Sequence, residues 1–185
     1  MKLMFASDIH GSAFYCRRML EIYKNSGAER LVLLGDILYH GPRNDLPKEY
    51  APKEVIAMLN PLKDRLLAVR GNCDTEVDQM VLEFPILADY GLFLVDQKRL
   101  YATHGHVYNE NHLPPLADGD VLIHGHTHLL EAKEIVTEDG KHIKILNPGS
   151  VSIPKGGNPA TYALLEDGVF TVLSLDGVAV KQISL

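Results

Sequence analysis

The sequence lacks tryptophan altogether and has only two cysteines, Cys16 and Cys73, among its 185 residues. Two cysteines cannot make a disulfide framework, so we expect a reducing compartment and a cytoplasmic protein. No apolar run approaches the roughly 20 residues that a membrane-spanning helix needs. The opening residues also lack the apolar stretch of about 7–15 residues that marks a secretory signal. These absences argue against a disulfide-rich secreted domain and an integral membrane protein.

Basic residues are too few to balance the acidic ones. Lys and Arg number 18 against 24 Asp and Glu, so the formal net charge is −6. An acidic chain is unsuited to broad contact with nucleic acid or anionic lipid, so we expect neither stable nucleic-acid binding nor membrane association. Histidine, in contrast, is plentiful: there are nine, and five lie in two short clusters at 104–106 and 124–128.

The pattern of apolar residues predicts an α/β fold with an antiparallel finish. Strands are predicted at 3–7, 31–34 and 65–69, with helices at 12–25 and 52–62 between them, an order that favours parallel pairing. Further strands and one short helix follow, and the chain from 131 onward is all strand, with Asp-Gly pairs as hairpin turns. The predicted strands are 92–95, 99–103 and 120–124, and the short helix is 109–117. The length favours a single domain, 1–185.

Side chains that bind metals follow five of the predicted strands, each beside a glycine. The carboxyl ends of parallel strands form the crevice where ligands bind, so these side chains are expected to meet. A single aspartate there is usually a helix cap, and a single histidine is usually a core or surface residue. Five such strand ends in succession favour a metal site, and carboxylates with imidazoles favour Mn, Fe, Zn or Co over Ca. The strand ends carry Asp8 and His10, Asp36, the run 70–74 with Asn72, Cys73 and Asp74, His104 and His106, and His126 and His128.

In their order, these motifs resemble the signature of the calcineurin-like metallophosphoesterase superfamily. They read Asp8-x-His10, Gly35-Asp36, Gly71-Asn72, His104-Gly105-His106 and Gly125-His126-x-His128. The stretch 147–150 resembles a further segment of the family. Residues 40–44 and 152–159 are similar to the small bacterial phosphodiesterases of the YfcE type. The resemblance implies a four-layer α/β/β/α sandwich with a dinuclear metal site at one edge.

The resemblance also implies two sets of metal ligands that share one carboxylate. One ion would be bound by Asp8, His10, Asp36 and His128, and the second by Asp36, Asn72, His104 and His126. Two divalent ions are expected, with Mn favoured and Zn, Fe, Ni, Co or Mg as alternatives. A hydroxide that bridges two metals can attack phosphorus in line, which removes the need for a Ser or Cys nucleophile.

Three further residues are candidates for a part in catalysis. Many family members carry a histidine at the position of Cys73, where it acts as a general acid on the leaving group. A thiol is a poorer proton donor than imidazolium, so diesters with good leaving groups are expected to suit this chain best. His106 is a candidate for orienting substrate or transferring a proton. Arg43, with Lys155, is a candidate phosphate contact, although exposed basic residues are more often simply solvated.

The expected activity is therefore a metal-dependent phosphodiesterase acting on a small phosphodiester. A phosphomonoesterase or protein phosphatase is the first alternative. The second is a non-catalytic, metal-binding scaffold of the same fold, since a eukaryotic retromer subunit resembles this fold and serves mainly as a scaffold. A DNA nuclease is the third alternative. Such an enzyme usually has a basic track or an added recognition domain, and neither is evident in this sequence. A homo-oligomer is possible through the apolar strands after Glu131.

Overall fold

Eleven strands in two sheets form the framework of the computed structural model, which describes residues 1–95 and 98–185. The strands are β1 (Lys2–Ala6), β2 (Arg30–Leu33), β3 (Leu66–Ala68), β4 (Tyr90–Val95), β5 (Lys98–Thr103), β6 (Val121–Ile123), β7 (Leu130–Val136), β8 (His142–Pro148), β9 (Thr161–Glu166), β10 (Val169–Ser174) and β11 (Ala179–Ser184). The helices are α1 (Ala13–Ser26), α2 (Pro52–Leu59), α3 (Glu76–Gln79) and a 3-10 helix, Asn60–Arg65.

The first sheet has six strands in the order β11-β10-β9-β1-β2-β3. Its three strands β1, β2 and β3 are parallel, as the βαβαβ pattern predicts. The C-terminal strands β9, β10 and β11 add an antiparallel meander at the other side of β1. The central strand β1 therefore has partners on both sides, with Phe5 opposite Val32 and Ala163.

The second sheet has five strands in the order β4-β5-β6-β8-β7. Its centre, β5, β6 and β8, is parallel, and the edge strands β4 and β7 run antiparallel to their neighbours. The strands that precede the two histidine clusters, β5 and β6, are therefore adjacent and point the same way. They deliver the two clusters to the same end of the sheet.

Alternation along β1 shows how the layers pack. Successive strand residues point to opposite faces, so Leu3 and Phe5 join a core cluster between the two sheets, whereas Met4 and Ala6 join a cluster with the helices. The inter-sheet cluster also contains Ala102 and Ile123 of the second sheet. The two sheets thus lie face to face, as the predicted sandwich requires.

Helix α1 covers the outer face of the first sheet and begins and ends as its sequence indicates. Its N-cap, Ser12, accepts a hydrogen bond from the backbone N–H of Tyr15 (3.3 Å), and Gly27 ends it with φ 74°. Both are preferred residues for those positions. The residues Cys16, Met19 and Tyr23 form its buried stripe, spaced by three and four as a helix face requires.

The predicted helix at 109–117 is not formed, and this prediction is wrong. The segment 105–120 is coil and turns, and its Leu113 and Leu116 pack against the outer face of the second sheet. Pro114 and Pro115 explain the difference, because neither has the N–H that a helix interior needs. Helix α3, just four residues long, lies in a stretch for which no element was predicted. Among the described residues, no helix is long and apolar enough to cross a membrane.

Candidate metal centre

All seven predicted metal ligands follow the ends of strands that meet at one end of the sandwich. The strands β1, β2 and β3 of the first sheet lead to Asp8 and His10, to Asp36 and to Asn72, and β5 and β6 of the second sheet lead to His104 and to His126 and His128. The convergence of parallel strand ends was expected from the strand pattern, and the two-sheet sandwich from the family resemblance. The structure draws the ligands from two facing sheets, because the sandwich places the carboxyl ends of both parallel centres on the same side.

A first group of ligand atoms surrounds one carboxylate oxygen of Asp8. This oxygen, Oδ1, lies 3.2 Å from His128 Nε2 and 3.6 Å from His10 Nε2. The two Nε2 atoms are 3.3 Å apart. All three side chains are buried. Asp8 Oδ1 has no hydrogen-bond partner among the described residues, and a buried carboxylate oxygen without a partner is expected where a cation binds.

A second group, which contains Asp36, lies beside the first. Asp36 Oδ2 is 3.4 Å from His104 Nε2 and 3.7 Å from His10 Nε2, so a single oxygen faces both groups. His104 Nε2 is also 3.1 Å from Asn72 Oδ1 and 3.2 Å from His126 Nδ1. Asp36 therefore occupies the position between the groups that a bridging carboxylate requires.

Backbone carbonyl groups fix which nitrogen of each imidazole faces the centre. The Nδ1 atoms of His10, His104 and His128 lie 2.7, 2.6 and 2.6 Å from the carbonyl oxygens of Tyr39, Leu34 and Ile153. A proton on Nδ1 donates to the carbonyl and leaves the lone pair of Nε2 directed at the centre. These three rings are therefore oriented as metal ligands even without an ion.

Charges within the site shift the pKa values of its groups in opposite directions. Burial alone would raise the pKa of Asp8, but the imidazoles of His10 and His128 outweigh it and hold the pKa well below its usual range. Burial would lower the pKa of His104, but the contacts with Asp36 and Asp8 raise it to about 9. Burial and the neighbouring charge of His104 lower the pKa of His126 to about 4. Burial would also raise the pKa of Asp36, but the contact with His104 lowers it, so both aspartates are ionised at neutral pH.

Left-handed backbone conformations are concentrated at the site. Among the described residues, seven other than glycine have positive φ, and five of them are predicted ligands. This conformation is strained for most residues, and Asp and His tolerate it better than most. Such strain is typical of functional sites, where the surrounding structure holds the backbone in place. The five are Asp8 (φ 59°), His10 (49°), Asp36 (55°), His126 (66°) and His128 (60°).

Two glycines allow the ligand loops to approach one another closely. A Cβ atom on Gly71 would overlap Asp36 Oδ1 and the backbone nitrogen of Asp36. A Cβ atom on Gly125 would overlap the Ser7 hydroxyl and lie 2.9 Å from Asp8 Oδ2. These glycines are therefore required by contact between neighbouring strand ends, in the first case within one sheet and in the second between the two sheets.

Asp74 is a supporting residue to which the sequence reasoning assigned no role. Its carboxylate accepts hydrogen bonds from the backbone N–H groups of Asp36 (2.8 Å), Ile37 (2.9 Å) and Gly71 (2.8 Å). It thereby joins the loop after β2 to the loop after β3. Its position directly after Asn72 and Cys73 was the available signal, because a polar residue inside a ligand loop is placed to bind that loop's backbone.

The three candidate catalytic residues lie around the centre in different ways. Cys73 donates its backbone N–H to Asp36 Oδ1 (2.8 Å), and burial with the charge of Asp36 raises the pKa of its thiol to about 12. Arg43 and Cys73 both line a cavity of about 420 Å³ over the two groups, with Lys155 on its wall. The ring of His106 is 5.4 Å from that of His104, centroid to centroid, and is not among the described residues that line this cavity.

The donor set fits divalent transition-metal ions. In each of two groups, Asp8 with His10 and His128, and Asp36 with His104 and His126, the ligand atoms lie within 4.8 Å of one another. A mixture of carboxylate oxygens and imidazole nitrogens suits Mn, Fe, Co or Zn, whereas Ca takes oxygen ligands. Cys73 forms a further such group with His10 and Asp36.

Comparison with known proteins agrees with this geometry. The family described as the calcineurin-like phosphoesterase superfamily domain matches residues 1–167. The chain belongs to this superfamily. The predicted family and the α/β/β/α fold class are confirmed, and the metallophosphoesterase fold implies divalent metal ions, for which the ligand groups above are the candidate sites.

Relatives within the superfamily differ widely in their similarity to this chain. Phosphodiesterase YfcE of Escherichia coli K12 is 52% identical over 186 residues, covering 100% of this chain and 98% of that protein. A solved structure of the E. coli phosphoesterase YfcE superposes with a TM-score of 0.94, covering 100% of this chain and 99% of that one. A phosphodiesterase of Methanocaldococcus jannaschii is 26% identical, covering 80% of this chain and 83% of that protein. Zinc-bound Vps29 of Entamoeba histolytica, 20% identical with a TM-score of 0.59 and coverage of 100% and 99%, shares the fold.

Proposed function

We infer that this chain is a metal-dependent phosphoesterase that hydrolyses phosphoric diesters. The observation that carries the inference is the pair of ligand groups that share Asp36, in a chain 52% identical to a phosphodiesterase over its full length. Two adjacent metal positions are the arrangement used for in-line displacement at phosphorus.

We propose that each ion has four protein ligands. Asp8, His10, Asp36 and His128 hold the first, and Asp36, Asn72, His104 and His126 hold the second. When bound, the two ions supply positive charge for the phosphate ester and lower the pKa of a coordinated water to about 7. Asp8 and Asp36 are the only anionic members of the proposed set, since the imidazoles and the amide are neutral ligands. The site would therefore keep a net positive charge with both ions bound.

Residues on the cavity wall are proposed to bind and orient the ester. Arg43 lies on the loop after β2, and its guanidinium can hold two phosphate oxygens side by side. Lys155 lies on the opposite loop, where its backbone N–H donates to the carbonyl oxygen of His128 (3.1 Å). The exposed ring of His106 lies 5.4 Å from that of His104 and 6.2 Å from that of His126, centroid to centroid, and is proposed to act on substrate orientation or proton transfer.

The thiol of Cys73 favours diesters whose leaving group needs little protonation. Its pKa, raised to about 12, makes it a weak acid and leaves little thiolate at neutral pH. The residue is therefore poorly suited to serve as a nucleophile or as a strong general acid. An activated or acidic leaving group departs without such help, so a small phosphodiester of this kind is the proposed substrate class.

Manganese is the proposed native metal, with Zn, Fe, Ni, Co and Mg as the alternatives to be compared. The set contains imidazoles, carboxylates and one amide oxygen, a mixture that suits a metal between the hard and soft extremes. A cytoplasmic location is likewise proposed, supported by two free thiols. We propose one domain, no stable binding to nucleic acid or membrane, and leave a homo-oligomer as a hypothesis.

The experiment that tests the function compares a diester with a monoester. Protein stripped with EDTA is reloaded with Mn²⁺, Zn²⁺ or Mg²⁺, and hydrolysis of bis(p-nitrophenyl) phosphate and p-nitrophenyl phosphate is measured. We expect Mn²⁺ to restore turnover of the diester above that of the monoester. Faster turnover of the monoester would favour a phosphomonoesterase. Two bound ions with no turnover of either ester would favour the scaffold.

A further inference from the structure

A segment that supplies none of the proposed ligands holds three of them in place. We call residues 147–153, at the end of β8, the clamp segment. Two of its hydroxyl groups, Ser150 Oγ and Ser152 Oγ, donate to the carbonyl oxygen of Asp8 (3.0 and 2.8 Å). The carbonyl oxygen of Ile153 accepts from His128 Nδ1 (2.6 Å). The clamp segment thus fixes one ligand through its backbone and another through its ring.

Asn147 makes the remaining connection, to the loop that carries His126 and His128. Its side chain is fully buried, and Nδ2 donates both to the carbonyl oxygen of Gly125 and to Thr127 Oγ1, each at 3.0 Å. Its Oδ1 accepts the backbone N–H of Gly149 (2.9 Å). The amide therefore spans the gap between the clamp segment and the histidine loop, with both of its ends occupied.

The histidine loop needs such support because its conformation is strained. His126 and His128 both have positive φ, and the loop turns tightly enough that the N–H of Thr127 donates to the carbonyl oxygen of Gly125 (2.7 Å). Strained backbone persists where surrounding contacts over-determine it. Asn147 contacts the loop on both sides of His126, at Gly125 and at Thr127, so it holds the curvature that directs both imidazoles toward the centre.

We propose that Asn147 is a positioning residue for both metal ions. It holds the loop that delivers one ligand to each ion, His128 to the first and His126 to the second. Asn147 contacts no proposed ligand side chain, so it acts through the loop rather than on the metal or the substrate. The proposal rests on the ligand sets proposed above. Residues that orient metal ligands typically contribute about 10–100-fold to metal affinity.

The test measures Mn²⁺ binding by calorimetry in metal-free protein, comparing wild type with Asn147→Ala. We expect binding of both ions to weaken by about 10–100-fold. The matched control is Ser174→Ala. Ser174 Oγ is also buried and takes part in two hydrogen bonds, from the N–H groups of Asp176 and Val178 in the β10–β11 hairpin. Both variants are expected to melt earlier in EDTA, but Ser174→Ala should keep wild-type affinity and the full rise in Tm when Mn²⁺ is added.

A second variant covers the case in which Asn147→Ala fails to fold. Thr127→Val removes one acceptor of Asn147 Nδ2 from an exposed residue and keeps the side-chain shape. It also removes the acceptor of the Leu129 backbone N–H (3.3 Å). It is expected to weaken Mn²⁺ binding in the same direction with a smaller fold-change. Wild-type affinity in a folded Asn147→Ala protein, or in Thr127→Val when only that variant folds, would overturn the positioning role. A wild-type protein that binds fewer than two ions would instead refute the ligand sets themselves.

Discussion

The two halves of the candidate metal centre use similar side chains in different surroundings. The buried half consists of Asp8, His10 and His128, all less than 5% exposed. The open half consists of Asn72, His104 and His126, in which His104 is fully buried, Asn72 is exposed and His126 is half-buried. Asp36 lies between the halves and is the proposed ligand of both ions. We propose that the ion of the buried half contributes structure and charge. The ion of the open half is proposed to face the cavity, where substrate and solvent enter.

The support behind each half differs in the same way. In the buried half, the backbone of Asp8 accepts two serine hydroxyls, and the rings of His10 and His128 are both fixed by carbonyl groups. In the open half, just His104 has a carbonyl partner for Nδ1 among the described residues, since His126 presents Nδ1 itself to the centre. We therefore expect the ion of the open half to exchange more easily.

Replacing the carboxylate of Asp36, the proposed ligand of both ions, should weaken metal binding in both halves. In Asp36→Asn, both ions lose a charged ligand at once, so we expect hydrolysis to fall to background and both bound metals to be lost on dialysis. Asparagine tolerates the left-handed backbone at this position, so the fold should survive. The measurement is metal content with diester turnover.

The matched control for that variant is Asp167→Asn, at an Asp-Gly turn with φ 49°. The same chemical change in the same backbone conformation, outside the centre, should leave turnover and metal content unchanged. Activity close to wild type in Asp36→Asn would refute the shared-ligand arrangement.

Single-ligand variants of each half should separate the two ions. In His128→Asn, the buried half loses an imidazole ligand, and water has little access to this position to replace it. We therefore expect one of the two metals to be absent at any practical Mn²⁺ concentration. In Asn72→Ala, the lost ligand is a neutral amide at an exposed position, where water can replace it. We expect two ions at saturating Mn²⁺, with one bound about 10-fold more weakly. The metal content of both variants is measured as Mn²⁺ is titrated. Equal loss of metal in the two variants would contradict the proposed difference between the halves.

The position of Cys73 offers a gain of function in the open half. In Cys73→His, an imidazolium replaces a thiol beside the cavity, and general acid catalysis typically contributes about 100-fold or more for poor leaving groups. We expect alkyl phosphodiesters to gain and activated aryl diesters to change little. Cys73→Ser, which provides no such acid, serves as the control. No gain for alkyl esters at unchanged metal content would show that Cys73 does not limit the reaction.

Proton competition should be the smallest of these effects and should arise in both halves. In the buried half, burial would lower the pKa of His10, but the contact with Asp8 raises it. In the metal-free protein, the pKa of His104 is raised to about 9 and that of His126 is lowered to about 4. At pH 7 His104 is therefore protonated, and an ion that binds its Nε2 must displace that proton. We expect Mn²⁺ affinity to rise with pH up to about 9 and at least one proton to be released, measured by calorimetry in buffers of different ionisation enthalpy. A pH-independent affinity between 6 and 9 would contradict this assignment.

Local patterns in the sequence were sufficient for most strands and for the strand ends that carry metal-binding side chains, whereas Asn72 as a ligand and the two ligand sets came from the family resemblance. Apolar runs located the strands because most of them are buried on at least one face, and ligand-type residues beside glycines marked the strand ends. The helix at 109–117 was wrong because the apolar residues there pack as coil on the second sheet, and helix periodicity could not reveal that. The division of the parallel strands between two sheets became apparent only through the family resemblance.

The supporting residues were harder to predict because their partners are distant in sequence. Ser150 and Ser152 bind the backbone of Asp8, 142 and 144 positions away, and Asn147 binds a loop 20 to 22 positions away. A hydroxyl or an amide in a loop has many ordinary uses, and no local spacing distinguishes one that holds a ligand. The stretch 147–150 was marked by resemblance, but its hydrogen bonds required the structure.

The left-handed backbone at five ligand positions restricts which substitutions the chain can accept, independently of catalysis. In a mutational library selected for folded, metal-free protein, the need for ligand chemistry would disappear at Asp8, Asp36 and His126, yet the backbone would be unchanged. Valine and isoleucine should still be depleted there, while asparagine and glycine should be enriched. The geometry of this centre therefore limits the routes by which such a chain can diverge, even after its chemistry is no longer under selection.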